Sequence, residues 1–131
     1  MQNDNGIMTF KAAGTIYASR RVKFSGTASD PEVLLSGATG IDCGVAQYDA
    51  ATDELVAVKL LSAPGTFEVE LGAATAPAYG AILYPAASGK LTNSAATGLS
   101  IPTYVAIRKA ASTGENLEVM FRKFHSTATG Y

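Results

Sequence analysis

The chain has one histidine, one cysteine and no tryptophan in 131 residues. His125 is thus the only imidazole available to a Ser-His-Asp or Cys-His arrangement. It stands beside Ser126 and Thr127 close to the end of the sequence, a poor place to hold a base within hydrogen-bond reach. It reads as a solvated terminal residue. One Cys and one His are too few for a zinc tetrad, and no acidic loop has the ligand spacing of a calcium hand. The loop holding Asp49, Asp53 and Glu54 reads as a turn between strands. No metal and no other cofactor is expected. Cys43, being alone, makes no intrachain disulfide and leaves the redox compartment open. Without tryptophan, a sugar-stacking surface would depend on tyrosines, of which Tyr48, Tyr79 and Tyr131 are the candidates for exposure.

Charge is scarce as well. Charged residues make up 16% of the chain, against about 25% in ordinary soluble domains. Ten basic and 11 acidic side chains leave a net charge of −1 and a pI near 5.7. A nucleic-acid partner is disfavoured, because phosphate neutralisation needs a basic excess. No apolar run approaches the ~20 residues of a membrane span. The start, Met1 through Asn5 and Gly6, has neither basic flank nor apolar stretch, so no signal peptide is expected. Ala, Gly, Ser and Thr take the place of the missing charges. A surface of small neutral groups loses little hydration when covered, which suits lasting contact with another protein.

Reactive constellations are missing too. Ser36, Gly37, Ala38, Thr39 and Gly40 are not followed by Lys-Ser/Thr, so they make no phosphate-binding loop. Glu68 and Glu70 share one face of a strand, whereas glycosidases need carboxylates on opposite sides of a sugar cleft. They read as a solvated face. No enzyme activity and no small-molecule substrate are expected.

What the chain does have is alternation. Phe67, Val69 and Leu71 interleave with Glu68 and Glu70, and Leu117, Val119 and Phe121 interleave with Glu118 and Met120. Period-2 patterns of this kind mark strands with one buried face. Residues 54–61, 79–84 and 102–109 are more continuously apolar strand candidates, and 15–24 and 41–48 are weaker ones. Turn-forming clusters of Gly, Pro, Asp, Asn and Ser separate them. A short helix over residues 91–97 is the one helical candidate. The spacing predicts an all-β chain, a small barrel or sandwich in a single domain.

Residues 1–13 stand apart, with Ile7, Met8 and Phe10 after a polar start and Gly14 as a hinge. They predict an extended N-terminal arm, with a first strand of the same domain as the alternative. Residues 14–125 then form the β-rich domain and 126–131 a C-terminal tail. Burying three apolar side chains does not offset the ordering of thirteen residues, so an arm must also gain backbone hydrogen bonds at a neighbour's sheet edge. Arg20, Arg21 and Lys23, with Val22 and Phe24 between and beyond them, form the one basic cluster. It reads either as a solvated strand edge or as a docking stripe for an acidic partner. The candidate partner-binding residues are therefore Ile7, Met8, Phe10, Arg20, Arg21 and Lys23.

The order of segments carries a resemblance. Ile41-Asp42-Cys43-Gly44-Val45-Ala46-Gln47-Tyr48-Asp49-Ala50 is followed by Gly65-Thr66-Phe67-Glu68-Val69-Glu70. Then come Tyr79-Gly80-Ala81-Ile82-Leu83-Tyr84, Ser88-Gly89-Lys90-Leu91-Thr92, Tyr104 to Ala110, and Leu117-Glu118-Val119-Met120-Phe121. This pattern resembles the small capsid decoration (cement) proteins of tailed bacteriophages. The resemblance implies a β-barrel or β-tulip-like head, a homotrimer on the capsid exterior, and the major capsid protein as partner. It also implies synthesis in the host cytoplasm and an N-terminal arm reaching over neighbouring subunits. Two rivals remain beside it: another virion subunit, such as a tail-tube or head-completion protein, and a carbohydrate-binding β-module.

Overall fold

Ten strands account for the regular structure of the computed structural model, which describes residues 6–25, 31–38, 41–72, 76–93 and 101–125. They are β1 Ile7–Ala12, β2 Arg21–Phe24, β3 Glu32–Leu35, β4 Gly44–Ala46, β5 Leu55–Leu60, β6 Phe67–Glu70, β7 Ile82–Pro85, β8 Leu91–Thr92, β9 Ile101–Ala106 and β10 Asn116–His125. The alternation read from the sequence is what sets their faces. In β6, Phe67 and Val69 are buried while Glu68 is exposed, and in β10, Leu117 and Val119 are buried while Met120 is exposed.

The strands divide at residue 60 into two sets. β1 to β5 close into a barrel in the order β1-β3-β2-β4-β5, with β5 returning to β1 through Ile7↔Lys59 to Lys11↔Leu55. The β1–β3 pair is parallel and the others are antiparallel. Phe10, Ala12, Ile16, Val22, Val33, Ala46, Ala50, Val56 and Val58 fill its interior. Most are small or β-branched, as a narrow five-stranded barrel requires. β6 to β10 form a sheet in the order β6-β10-β9-β7-β8, and a single parallel bridge, Leu71↔Leu91, draws its two edges together. Its inner face carries larger side chains, with Phe67, Leu71, Leu83, Leu91, Tyr104 and Leu117 all buried. Val45 belongs to barrel strand β4 but packs into this second core.

The all-β class and the barrel follow the reading of the sequence. The arm does not. Residues 7–12 are β1, paired with β5 from Ile7 to Lys11 and with β3 at Lys11 and Ala12, so the segment is a strand of the domain itself. The requirement for backbone hydrogen bonds is met inside this chain's own barrel instead of at a neighbour's sheet. Residues 1–5 and 126–131 lie outside the described residues. Strand β3 was not anticipated, because four residues are too short a window for a period to emerge. Of the helical candidate at 91–97, Leu91 and Thr92 are strand β8 and residues 94–97 lie outside the described residues. Among the described residues the one helical turn is a short 3-10 turn at Ala87–Gly89.

Candidate functional site

The barrel and the second sheet meet at a buried polar cluster built around Arg21. The side chain leaves the outer face of β2, and it and Asp42 are both fully buried. The guanidinium donates from Nη1 to Asp42 Oδ1 at 2.8 Å and Oδ2 at 3.0 Å. It also donates from Nε to the Lys90 carbonyl at 3.0 Å and from Nη2 to the Ala86 carbonyl at 2.6 Å. The Gly37 carbonyl accepts from both terminal nitrogens at 3.4 Å. Asp42 further accepts from the Ser36 hydroxyl and from the Tyr104 hydroxyl, the latter at 2.6 Å. No buried side-chain nitrogen or oxygen among the described residues lacks a partner. An ion pair out of water is stable only with such complete hydrogen bonding.

Geometry around the cluster is tight. Gly89, at φ +76°, lies so close that a Cβ there would sit 2.7 Å from the Arg21 carbonyl oxygen. Burial, and then the Asp42 charge, push the Tyr104 hydroxyl well above its ordinary pKa. The same two causes, in the same order, push the Cys43 thiol up to about 12. Both groups therefore stay protonated at neutral pH. With Arg21, Ser36, Asp42 and Tyr104 sealed from solvent, the cluster offers no room for a substrate and serves to join the two halves.

The predicted partner-binding residues are thus dispersed. Arg21 is a buried internal partner and not part of a docking stripe, because Asp42 neutralises it inside the protein. Arg20 is turned inward as well, forming a two-point ion pair with Glu70 at 3.2 and 3.3 Å and lying 4.9 Å over the Tyr17 ring. Lys90 reaches the same Glu70 at 3.2 Å. Lys23 is half-buried on the barrel wall opposite Leu34. Phe10 is 4% exposed and is met edge-on by the exposed Phe24 ring, so it cannot anchor a partner. Ile7 and Met8 alone of the hydrophobic set remain exposed, held in β1. Asp42, Ser36 and Tyr104 escaped the sequence reading. The only trace was an acid placed inside the otherwise apolar and small run 41–46.

A second feature lies on the outside of the same junction. An open cleft of about 350 Å³ separates the barrel wall from the outer face of the second sheet. Ser19, Gln47 and Lys59 line it from the barrel, and Thr66, Glu68 and Glu118 from the sheet. Lys59 Nζ donates to the Thr66 carbonyl at 2.5 Å and stands 4.9 Å over the Phe67 ring. The Thr66 hydroxyl donates to Glu118 Oε2 at 2.5 Å. Glu68 and Glu118 are directly opposed across β6 and β10. On the same outer face, Met120, Val105 and Ile82 form an adjoining row across β10, β9 and β7.

Among the described residues there is no cluster of three or more His, Cys, Asp or Glu side chains able to hold a metal. Of solved structures, the head fiber gp8.5 N base in bacteriophage phi29 is similar, with a TM-score of 0.72 at 16% identity. The match covers 93% of this chain and 98% of that one, and at this identity it shows a shared fold. No curated protein sequence matches the chain. The family model of phage cement proteins matches residues 1–122, nearly the whole length. The chain therefore belongs to the phage cement protein family and is a structural protein associated with the phage capsid.

Proposed function

We propose that this chain binds the outside of the capsid, as a homotrimer, and stabilises the shell by bridging neighbouring major capsid protein subunits. The observation that carries the proposal is the family match across residues 1–122. The sealed polar junction and the low charge of the chain accord with it. A single copy needs only weak contacts. Once a trimer engages one subunit, its further contacts become intramolecular, and avidity exceeds a single affinity by ~10²–10⁴. Because the lattice is bound only when assembled, binding favours the assembled state by mass action.

Strand β1 is paired with β5 along Ile7 to Lys11 and with β3 at Lys11 and Ala12, so it is held within this chain's own barrel. The test is co-sedimentation of the purified protein with shells assembled from the major capsid protein of the same phage, followed by the melting temperature of the shells. Saturable binding in many copies per particle, with a raised shell melting temperature, is the expected result. Protein left in the supernatant at all concentrations sinks the proposal.

A further inference from the structure

We infer that the cleft between the barrel and the second sheet, centred on Glu68 and Glu118, is the surface that takes the capsid. Its occupant is a shell segment presenting a Lys or Arg side chain flanked by apolar residues. The inference rests on the capsid-binding reading above and adds the face and the chemistry of the partner.

The first ground is an imbalance of charge. Among the described residues, every other carboxylate has a cation or a backbone N–H. Lys11 serves Glu32 and Asp53, Arg21 serves Asp42, Arg20 and Lys90 serve Glu70, and Arg108 serves Glu115. Asp49 accepts from the Ala18 N–H and Glu54 from the Ala51 N–H. Only Glu68 and Glu118 have neither, although the Thr66 hydroxyl reaches Glu118. They are also placed directly opposite each other on adjacent strands, where like charges repel. Lys59 lies in the same cleft, but its ammonium is engaged by the Thr66 carbonyl and makes no ion pair with either. Two carboxylates against one ammonium leave the cleft negative.

The second ground is shape and the surface beside it. The walls come from both halves of the molecule, so a side chain entering the cleft meets protein on two sides and its charge interactions are less screened than on a flat face. Two residues along β10 from Glu118, about 7 Å away, Met120 begins the row that continues through Val105 to Ile82. Met120 is 45% and Ile82 37% exposed. A cation in the cleft with apolar neighbours on this row would be matched at both places. The carboxylate repulsion, unrelieved in the free protein, would be relieved on docking.

The experiment is shell co-sedimentation of the wild type and of the double variant Glu68→Gln, Glu118→Gln, between about 50 and 300 mM salt, alongside solution mass and melting temperature. Wild-type binding should weaken as salt rises. The double variant should bind roughly tenfold or more weakly at low salt, with a flattened salt dependence. Its melting temperature should be equal or higher, because a repulsion has been removed and a glutamine oxygen still accepts from Thr66. A double variant that binds like wild type at every salt concentration overturns the inference while leaving capsid binding intact. A lowered melting temperature also overturns it, by showing the carboxylates to be structural. Changed solution mass with unchanged shell binding overturns it in favour of a second copy as occupant. A wild type that does not sediment overturns the capsid-binding reading, and this inference falls with it.

Discussion

The barrel of β1 to β5 and the sheet of β6 to β10 contain five strands each, yet they are filled by different side chains. Val and Ala dominate inside the barrel, while Leu, Phe and Tyr dominate behind the sheet. Closure explains the contrast. Five strands bent into a ring leave a narrow interior that mostly small and β-branched side chains fill. A sheet joined at its edges by one bridge encloses more space and needs larger groups to fill it. Each half thus has a core of its own, and the buried Arg21–Asp42 pair of the barrel half is tied to the other through the Ala86 and Lys90 carbonyls and the Tyr104 hydroxyl.

Removing that contact should have the largest effect. Arg21→Ala strands a buried Asp42 without a counter-charge and removes a donor from the Ala86 and Lys90 carbonyls, the latter keeping the Ala86 N–H. A loss of about 3–5 kcal/mol is expected. If the two cores are as separate as their contents indicate, urea unfolding followed by circular dichroism and by tyrosine fluorescence should split into two transitions. One cooperative transition at nearly wild-type stability would erase the distinction between the halves.

Core truncations sharpen the comparison at a smaller scale. Leu117→Ala in the sheet should cost about 2–5 kcal/mol. Val56→Ala in the barrel removes two carbon atoms rather than three and should cost about 1.5–3 kcal/mol. Each should chiefly lower the transition of its own half, which hydrogen exchange resolved by residue would show. Equal loss of protection in both halves would mean that the cores act as one.

The smallest effect is one of pH at the junction. Cys43, whose ordinary value is 9.0, is raised to about 12, and Tyr104 is raised well above 10.0. In each case the unfolded chain releases the proton first. Stability contributed by these groups is full below their ordinary values and declines as pH rises through 9.0 and 10.0 toward the folded values. The melting temperature should therefore fall between pH 8 and 11, and less steeply in Tyr104→Phe once its lower starting stability is allowed for. A level profile across that range would contradict the burial of these groups.

The alternating strands were legible because their period is local. Phe67, Val69, Leu117 and Val119 announce a buried face within a few residues of sequence. The basic cluster was misleading for the opposite reason. Arg20 and Arg21 are adjacent to exposed-looking neighbours, and nothing nearby tells that their partners are Glu70 and Asp42, the first fifty residues away and the second twenty-one. The N-terminal residues misled in the same way. An isolated apolar trio looks like an arm until β3 and β5, which lie far along the chain, are brought to its two edges. Glu68 was correctly placed on an outer face, but its opposition to Glu118 depends on the pairing of β6 with β10.

The sequence by itself determined that this protein is all-β, that it is poor in charge and in reactive side chains, and which side chains in its clearest strands face inward. These are properties of composition and of a two-residue period, and each is expressed within a short window. Tertiary structure alone decided that β1 closes a barrel, that one arginine joins two halves, and that two glutamates face each other beside a cleft. Those outcomes depend on which distant strands become neighbours, and backbone hydrogen bonding between strands carries no local mark of its partner.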